Sequence, residues 1–414
     1  MREIAIVGGG PAGATCGERL ARAGFRVTIF DEHLAWEKPC GGGLTYKAIQ
    51  TYPFLLDSSH PKKLIRLAEL IAGNGERVRL ELNRPVVVYS RRVLNGLLLE
   101  RAAAAGCTIE RNRVTRVDTS GEQARLRLNG HECAADFVVL AAGARNSLLP
   151  ETTPLAPQDL DLTVGYFVPT HHEPGNDGAH LHGAEARSAN NASGTNPNTN
   201  VLKIKFVHGF KGYLWSFPRA DHLSVGICGA MERTTSRELK QHVFEFMRVE
   251  DIPLPCSGNS GAAPRFFSHV LPSPRLTTLR RRRVLGRNWA LVGDAAAWVD
   301  PLTGEGLYYA MRSGELLADA LAKGTPEDYP RYARRGFCAE LEIASRAARR
   351  FFRGTFLGSA ITTRMVQFVK RSPALQRVMA DLFSGEQDYR SLKQRLRSRI
   401  GSVLGELLWG ALTR

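Results

Sequence analysis

The sequence contains no long apolar run and no paired cysteines. Apolar residues make up 43% of the 414 residues, yet no run approaches the roughly 18 residues that a membrane-spanning helix needs. The seven cysteines form no CxxC pair, so neither a disulfide framework nor a metal site is expected. Glycines interrupt the first apolar stretch after Val7, which does not fit a signal peptide. These absences favour an intracellular, cytoplasmic protein.

The sequence is also short of acidic residues. Its 40 Asp and Glu stand against 56 Lys and Arg, which gives a net charge of +16. Such a charge attracts anions, but no RNA-recognition, zinc-finger or helix-turn-helix pattern accompanies it, so nucleic acid is not expected as a partner. An anionic membrane surface and a diphosphate-bearing substrate remain candidates. The alternative is an arginine-rich surface that is merely solvated.

A glycine-rich turn near the start is the first positive feature. An apolar run over residues 3–7 leads into a GxGxxG pattern, helical spacing follows over residues 11–24, and the next apolar run ends in an acidic residue. The glycines allow a tight turn and a close approach of backbone to a pyrophosphate, and the carboxylate suits a ribose hydroxyl. The pattern predicts a dinucleotide site with the contacts Gly8, Gly10, Pro11, Ala12, Gly13 and Asp31.

A second segment favours FAD over NAD as the dinucleotide. Residues 289–296 read as a buried strand followed by Gly-Asp-Ala-Ala, and residues 301–307 open a helix. An acidic side chain here suits a ribityl hydroxyl, and free amides at a helix start suit the flavin pyrimidine, where negative charge accumulates on reduction. Arg91, just before another helix, is a candidate to neutralise the pyrophosphate. The further candidate contacts are Asp294, Pro301, Gly304, Gly306 and Leu307.

Short alternating apolar runs dominate the middle of the chain, between residues 155 and 284, and predict an antiparallel sheet. The α/β pattern returns at 289–296, so the nucleotide-binding domain is expected to be discontinuous. The sequence thus predicts an FAD-binding domain formed by residues 1–155 and 285–325, of which residues 45–100 contribute in part to the substrate domain. The substrate domain is expected at 156–284, and a C-terminal helical region at 326–414.

Several motifs together resemble one known family. GGGPAG, KPCGGGL at 38–44, AAGARNSL at 141–148 and GDAAAWVDPLTGEGLYYAMRSG at 293–314 are similar to segments of the geranylgeranyl reductase family, within the p-hydroxybenzoate hydroxylase-like flavoproteins. The resemblance continues to RSPALQRVMADLFSGEQDYRSLKQRL at 371–396. It implies a mixed α/β fold with a Rossmann-like FAD domain interleaved with an antiparallel substrate sheet. It also implies hydride transfer from reduced flavin to C=C bonds of an isoprenoid, either diphosphate-bearing or lipid-linked.

The resemblance also implies site residues. The family pattern PxxYxWxFP is matched from Tyr213 onward through Trp215, although Phe210 replaces its first proline. Alternate residues of a strand share a face, so this aromatic set suits an isoprenoid lying over a flavin, or else it simply fills a sheet core. Cys40 is a candidate proton donor, or a small packing residue. Further candidate flavin contacts in these motifs are Cys40 itself, Gly41, Gly42 and Gly143.

Two other functions stay open. A flavin monooxygenase or halogenase shares this architecture and an aromatic-Pro motif. A non-catalytic, membrane-associated flavin-fold protein is the alternative of another class. Only one GxGxxG is present, so no separate NAD(P)H domain is expected. Electrons would come from NAD(P)H that docks transiently or from a reduced electron-transfer protein.

An apolar stripe ends the chain. Leucine, isoleucine, valine and alanine recur at helical spacing over residues 396–411, with arginines beside them. A basic amphipathic helix of this kind suits an anionic membrane surface. The alternative is an ordinary C-terminal helix packed on the catalytic domain.

Overall fold

A computed structural model describes residues 2–144, 147–170, 200–255 and 263–398. Its first sheet is parallel and has five strands in the order β16-β10-β1-β2-β6. Short apolar runs form these strands, and helices cover the sheet, as is usual for parallel sheets. The strands are β1 (Glu3–Val7), β2 (Arg26–Phe30), β6 (Thr108–Glu110), β10 (Phe137–Leu140) and β16 (Trp289–Leu291).

Three long helices belong to this layer: α1 (Pro11–Arg22), α4 (Arg91–Ala104) and α7 (Leu307–Ala322). Helix α1 packs against both α4 and α7. The leucines of α4 at 94, 97 and 98 are buried. The first sheet combines strands that are distant in sequence, because β16 pairs with β10 in parallel. The exact domain bounds remain a prediction.

The second sheet has eight strands in the order β15-β11-β14-β13-β12-β4-β5-β3. The predicted antiparallel strands between residues 155 and 284 are present, but earlier strands extend the sheet and β12 pairs with β4 in parallel. Helix α5 (Ser236–Val249) covers one face. The strands are β3 (Gly43–Leu44), β4 (Lys63–Ile71), β5 (Arg77–Val88), β11 (Leu160–Pro169), β12 (Val201–Phe206), β13 (Gly212–Pro218), β14 (His222–Ala230) and β15 (Arg265–Pro272).

Two smaller β units were not expected from the sequence. The first is a meander of β7 (Val114–Asp118), β8 (Ala124–Leu128) and β9 (Glu132–Ala135). The second is a hairpin of β17 (Thr355–Phe356) and β18 (Ser359–Ala360), so the region after residue 325 is not purely helical. The two-residue strands of this hairpin are too short to show the alternation that identifies a strand in a sequence.

The remaining helices connect the sheets and close the molecule. They are α2 (Tyr46–Thr51), α3 (Phe54–Asp57), α6 (Leu276–Arg281), α8 (Tyr329–Ala333), α9 (Ala339–Arg353), α10 (Ile361–Arg371), α11 (Pro373–Ser384) and α12 (Tyr389–Ser398). Within the described part of the chain, no helix combines the length and the apolar character required to cross a bilayer. The side chains of the predicted stripe at 396–411 lie outside the described residues.

Close packing of α1 on α7 brings the two predicted cofactor segments together. A Cβ at Gly314 of α7 would lie 2.3 Å from the carbonyl oxygen of Ala12 in α1. A Cβ at Gly13 would lie 2.0 Å from the carbonyl oxygen of Gly8. Neither position has room for a side chain, so these glycines let the start of α1 approach both the turn before it and α7.

Two helix-interior glycines test this packing with the same substitution. Gly314→Ala should destabilise the protein by about 1–3 kcal/mol, because the methyl group meets a backbone oxygen that cannot move alone. Gly96→Ala in α4 should instead stabilise it by about 0.5–1 kcal/mol through helix propensity, since its Cβ would meet only Ala35 at 3.8 Å. Denaturant unfolding measures both changes. Equal effects of the two substitutions would contradict the packing argument.

Candidate active site

The two sheets and the C-terminal helices enclose a cavity of about 1790 Å³. Typical small-molecule sites occupy about 300–1000 Å³. The cavity therefore has room for a dinucleotide and a second ligand beside it. Its lining changes from polar near the ends of β1 and β2 to apolar between the second sheet and helices α9–α11.

The turn after β1 forms the polar end. Gly8 has a φ of 107°, and a Cβ there would lie 2.4 Å from the carbonyl oxygen of Ala141. Gly10 has an ordinary φ of −73°, and a Cβ there would meet no atom within 4 Å. Gly8 is therefore required by the fold, whereas the bare backbone at Gly10 faces the cavity at the start of α1. A helix start of this kind is a favourable place for a phosphate.

The Asp31 carboxylate is fixed beside this turn. Its Oδ2 accepts a hydrogen bond from the Gly9 amide at 2.7 Å. Its Oδ1 accepts from the amides of His33 at 2.8 Å and Leu34 at 2.9 Å. Three amides thus hold an acidic group at the cavity wall, which is the arrangement expected for a ribose contact.

Arg91 lies at the start of α4 and is only 4% exposed. Its Nη2 donates to Asn95 Oδ1 at 3.3 Å, while its buried Nε has no hydrogen-bond partner among the described residues. A buried donor without a partner is costly. Since Arg91 lines the cavity, this unsatisfied N–H group fits an anionic ligand such as the pyrophosphate of FAD.

The segment before α7 supplies the other cofactor candidates. Burial disfavours the charge of Asp294, but the Lys38 ammonium, 3.0 Å from Oδ2, holds the pKa of this carboxyl below its usual value. Asp300 Oδ1 accepts from the amides of Leu302 and Thr303 and shapes the following loop. No described residue accepts a hydrogen bond from the Leu307 amide at the start of α7. An ionised carboxylate and a helix start with an open amide fit the polar edge of a flavin.

Most candidate cofactor residues line this cavity, and two do not. Gly13 packs on the Gly8 carbonyl, and Pro301 is buried next to the loop rather than at the cavity wall. Arg145 and Asn146 of the AAGARNSL motif lie outside the described residues. The candidates that line the cavity are Gly8, Gly10, Pro11, Ala12, Asp31, Cys40, Gly41, Gly42, Arg91, Gly143, Asp294, Gly304, Gly306 and Leu307.

Strand β13 presents its aromatic side chains to the middle of the cavity. Tyr213, Trp215 and Phe217 line it, whereas Leu214 packs on the opposite side of the sheet with the core under α5. Trp215 Nε1 donates to Ser224 Oγ at 3.3 Å. Phe210, which replaces a proline of the family pattern, does not line the cavity.

Tyr213 connects this strand to the loop before α7. Its hydroxyl donates a hydrogen bond to the carbonyl oxygen of Thr303. Burial raises the pKa of Tyr213 well above its usual value, which keeps this donor protonated. The same hydroxyl would lie 2.8 Å from a Cβ at Gly304. A glycine there thus allows the second sheet to touch the candidate flavin loop.

Cys40 lies in the loop before β3, at the cavity wall. Its Sγ accepts a hydrogen bond from the Gly42 amide at 3.1 Å. Phe217 lies against this loop, since a Cβ at Gly41 would be 2.7 Å from the phenyl ring. The structure therefore places Cys40 and the aromatic set of β13 in one cavity.

The apolar part of the cavity lies between the second sheet and helices α9–α11. Its walls carry mainly aliphatic, methionine and phenylalanine side chains, although Glu340 of α9 and residues 386–388 after α11 also line the cavity. The side chains are Val86, Leu202, Ile204, Phe206, Leu302, Ile343, Ala347, Phe351, Met365, Met379, Leu382 and Phe383.

Sequence reasoning missed a buried arginine that joins these parts. Arg219 is fully buried, and its guanidinium donates to Glu37 and to the carbonyl oxygen of Cys40. Ser224 Oγ donates to the same Cys40 carbonyl at 2.8 Å. Arg219 directly follows the aromatic-Pro motif, but nothing in the sequence indicates that its partners are Glu37 and Cys40.

Glu37 links Arg219 to Arg91, the residue predicted to contact the pyrophosphate. Its carboxylate accepts from the amides of Arg91 at 2.8 Å and Arg92 at 3.2 Å, in the first turn of α4. Burial opposes the charge of Glu37, but Arg219 and the two amides lower the pKa of this carboxyl below its usual value. The carboxylate is thus ionised and links Arg219 to the start of α4.

Comparisons with known proteins agree with this geometry. A family model described as pyridine nucleotide-disulphide oxidoreductase matches residues 2–167. Geranylgeranyl diphosphate reductase of Nicotiana tabacum is 26% identical over 344 residues, which cover 78% of this chain and 66% of that protein. Menaquinone reductase of Mycolicibacterium smegmatis is 28% identical over 347 residues, covering 79% and 78%. The chain is an FAD-dependent oxidoreductase that is similar to geranylgeranyl reductases.

Solved flavoprotein structures share this fold. A geranylgeranyl bacteriochlorophyll reductase-like protein of Thermoplasma acidophilum superposes with a TM-score of 0.71 at 19% identity, covering 96% of this chain and 98% of that one. A flavin-dependent brominase superposes with a TM-score of 0.65 at 18% identity, covering 93% of each chain. The mixed α/β fold and the resemblance to geranylgeranyl reductases, both predicted from the sequence motifs, are confirmed. The aligned regions leave about a third of the tobacco protein unmatched.

Gly10→Val tests the cofactor end of the cavity. The protein itself leaves this position open, so the valine should be tolerated by the fold but should block the approach of a pyrophosphate. We expect purified Gly10→Val to unfold at nearly the same temperature as flavin-free wild-type protein and to lack the visible absorbance of flavin. Full flavin content in this variant would contradict the placement.

Two substitutions at Arg219 separate its roles. Arg219→Lys keeps a cation for Glu37 and should retain FAD, but it loses the fork that also reaches Cys40, so alkylation of Cys40 should accelerate. Arg219→Gln leaves a buried carboxylate without its partner and should cost about 3–5 kcal/mol of stability and most of the bound flavin. Peptide mass spectrometry after alkylation and the flavin absorbance provide the measurements.

Arg101→Gln is the matched control for these variants. Arg101 pairs with Glu18 at 2.6 Å and does not line the cavity. This substitution should lower stability while leaving the alkylation rate of Cys40 unchanged. If the lysine and glutamine variants at Arg219 changed both measurements in parallel, Arg219 would have no separable role at Cys40.

Proposed function

We propose that the protein saturates C=C bonds of an isoprenoid chain with electrons from reduced FAD. The observation that carries this proposal is the continuity of one cavity from the candidate FAD site to the apolar chamber under α9–α11. A chamber lined mainly by aliphatic, methionine and aromatic side chains suits a flexible hydrocarbon chain, which makes no hydrogen bonds. The names of the tobacco and mycobacterial relatives support a substrate of this class.

The roles proposed for individual residues follow from their positions. The start of α1, Arg91 and Asp31 would hold the phosphates and ribose of FAD, and Asp294 with the start of α7 would hold the ribityl chain and the pyrimidine. Bound FAD would supply the hydride. Tyr213 would fix the loop at Thr303 against the flavin, and Trp215 would confine the isoprenoid near it.

We also propose Cys40 as the acid that protonates the carbon next to the one that receives hydride. Its thiol lies where the polar end meets the aromatic strand, and the Gly42 amide is hydrogen-bonded to Sγ at 3.1 Å. That amide would stabilise the sulfur as it releases its proton. Water is the other candidate acid, and Cys40→Ala distinguishes the two, since turnover would persist with water as donor.

The proposal for the electron donor follows from the sequence, which has a single GxGxxG and therefore predicts no separate NAD(P)H domain. NAD(P)H docking transiently, or a reduced electron-transfer protein, would have to reach the flavin through the cavity mouth. Anaerobic bleaching of the flavin by NADH, by NADPH or by a reduced ferredoxin would identify the donor.

Turnover by chemically reduced enzyme provides the test of the reaction. Anaerobically reduced holoenzyme is mixed with geranylgeranyl diphosphate or with a prenylquinone, and mass spectrometry follows the gain of two hydrogens per double bond. We expect saturation of at least one of them. Rapid oxygen consumption in air with NAD(P)H and no saturated product would instead favour a monooxygenase or halogenase.

One variant pair on α11 tests the chamber itself. Met379 lines the chamber, whereas Arg377 on the same helix is exposed. Met379→Trp should slow saturation of a geranylgeranyl chain by about tenfold or more, because a bulkier side chain fills the chamber. It should affect a geranyl chain less and leave the flavin content unchanged. Arg377→Trp should match wild type, and equal turnover by both variants would argue against this chamber.

A further inference from the structure

The hairpin between α9 and α10 exposes two large apolar side chains. Phe356 is 50% exposed and Leu357 is 66% exposed, at the tip formed by β17 and β18. Leu357 has a φ of 47° and Gly358 a φ of 73°, so the chain turns sharply between the two short strands. Adjacent exposed apolar groups at a turn are unfavourable in water and indicate a contact surface.

Several contacts fix the tip in this position. The Arg364 guanidinium on α10 donates to the carbonyl oxygens of Phe356 and Leu357. The ring of Phe356 lies edge-on to Phe368, with centroids 6.3 Å apart. The hairpin is therefore held on α10 with its apolar side chains pointing outward, and their exposure is a property of the folded tip.

Basic residues surround the hairpin. Residues 349–371 contain no Asp or Glu and carry Arg349, Arg350, Arg353, Arg364, Lys370 and Arg371. Arg349, Arg350, Lys370 and Arg371 are exposed. The acidic neighbours come from other elements, with Glu76 near Lys370 and Glu232 near Arg353. The tip thus combines apolar side chains with a surplus of positive charge.

The hairpin also adjoins the apolar end of the cavity. Phe351 on α9 and Met365 on α10 both line the chamber, and the hairpin is the connection between these two helices. The Phe351 ring lies edge-on to Phe206 of the second sheet, with centroids 5.7 Å apart. The two helices that carry the tip outside are therefore also walls of the chamber inside.

We propose that this hairpin docks the protein on an anionic membrane surface, with Phe356 and Leu357 entering the headgroup region and the flanking arginines contacting lipid phosphates. Apolar insertion combined with cationic contacts is how peripheral proteins bind such surfaces. Docking here would bring the apolar chamber next to the bilayer, where a lipid-borne isoprenoid is dissolved. Only this last step depends on the proposed function.

Vesicle flotation of the full-length holoprotein tests the docking. Wild-type protein should float with vesicles of phosphatidylglycerol and phosphatidylcholine at low salt, and less with phosphatidylcholine alone or at high salt. The double variant Phe356→Ser/Leu357→Ser should lower partitioning by at least about tenfold. Leu64→Ser/Val249→Ser is the matched control, because both residues are 53% exposed elsewhere on the surface. This control should float like wild type.

Three results would overturn the proposal. They are flotation of the hairpin variant at the wild-type level, equal loss in the control, and an oligomer of wild-type protein that the hairpin variant converts to monomers in the absence of lipid. The last would make the tip a contact between copies of this chain. Light scattering after size-exclusion chromatography detects that case.

Activity measurements keep the two proposals separate. The hairpin variant should reduce a detergent-dispersed isoprenoid like wild type but should lose turnover of the same substrate in vesicles. Wild-type protein that floats yet reduces neither form would refute the proposed reaction while leaving the docking surface intact.

Discussion

A single buried cation, the guanidinium of Arg219, connects the two halves of the candidate active site. Arg219 donates hydrogen bonds to the ionised carboxylate of Glu37 and to the carbonyl oxygen of Cys40. Glu37 in turn accepts hydrogen bonds from the first backbone amides of α4. Taking both charges out of water is costly, and the pair is stabilised by the two amides that donate to Glu37 and by the Cys40 carbonyl that accepts from Arg219. The buried Arg219 Nε has no hydrogen-bond partner among the described residues. The position of the cysteine loop is therefore not independent of the position of Arg91, since both depend on one ion pair.

The cavity has two chemically different ends. The polar end has fixed donors and charges at the start of α1, at Arg91 and at the Lys38–Asp294 pair, and these suit a charged dinucleotide. The other end is lined mainly by apolar side chains of the second sheet and of helices α9–α11, although Glu340 of α9 also lines the cavity with a buried Oε1 that makes no hydrogen bond to a described residue. Strand β13 lies between the two ends. Its Tyr213 hydroxyl donates a hydrogen bond to the carbonyl oxygen of Thr303, in the loop before α7. The aromatic strand thus serves both ends.

The sequence alone predicted the local parts of this architecture. The glycine turn with Asp31 and the strand before Gly293 are short-range patterns, and their geometry follows from residues a few positions apart. The alternation in β13 likewise placed Tyr213 and Trp215 on one face. Arg219 could not be found in this way, because its partner Glu37 is 182 residues away and only the fold brings them together. The hairpin at Phe356 was missed because each of its strands has two residues.

The exposed apolar side chains of the hairpin can be related to the chamber, because the helices on either side of the hairpin also line it. An isoprenoid chain leaving a bilayer for an aqueous cavity would expose its hydrocarbon to water along the way, at a cost that grows with every methylene. A protein that bound its substrate from solution could place the chamber mouth anywhere. One that collects it from a membrane would instead keep the chamber, the apolar tip and the positive charge on the same pair of helices. Helices α9 and α10 carry all three, and that shared location is the strongest physical reason to regard the tip as part of the route of the substrate.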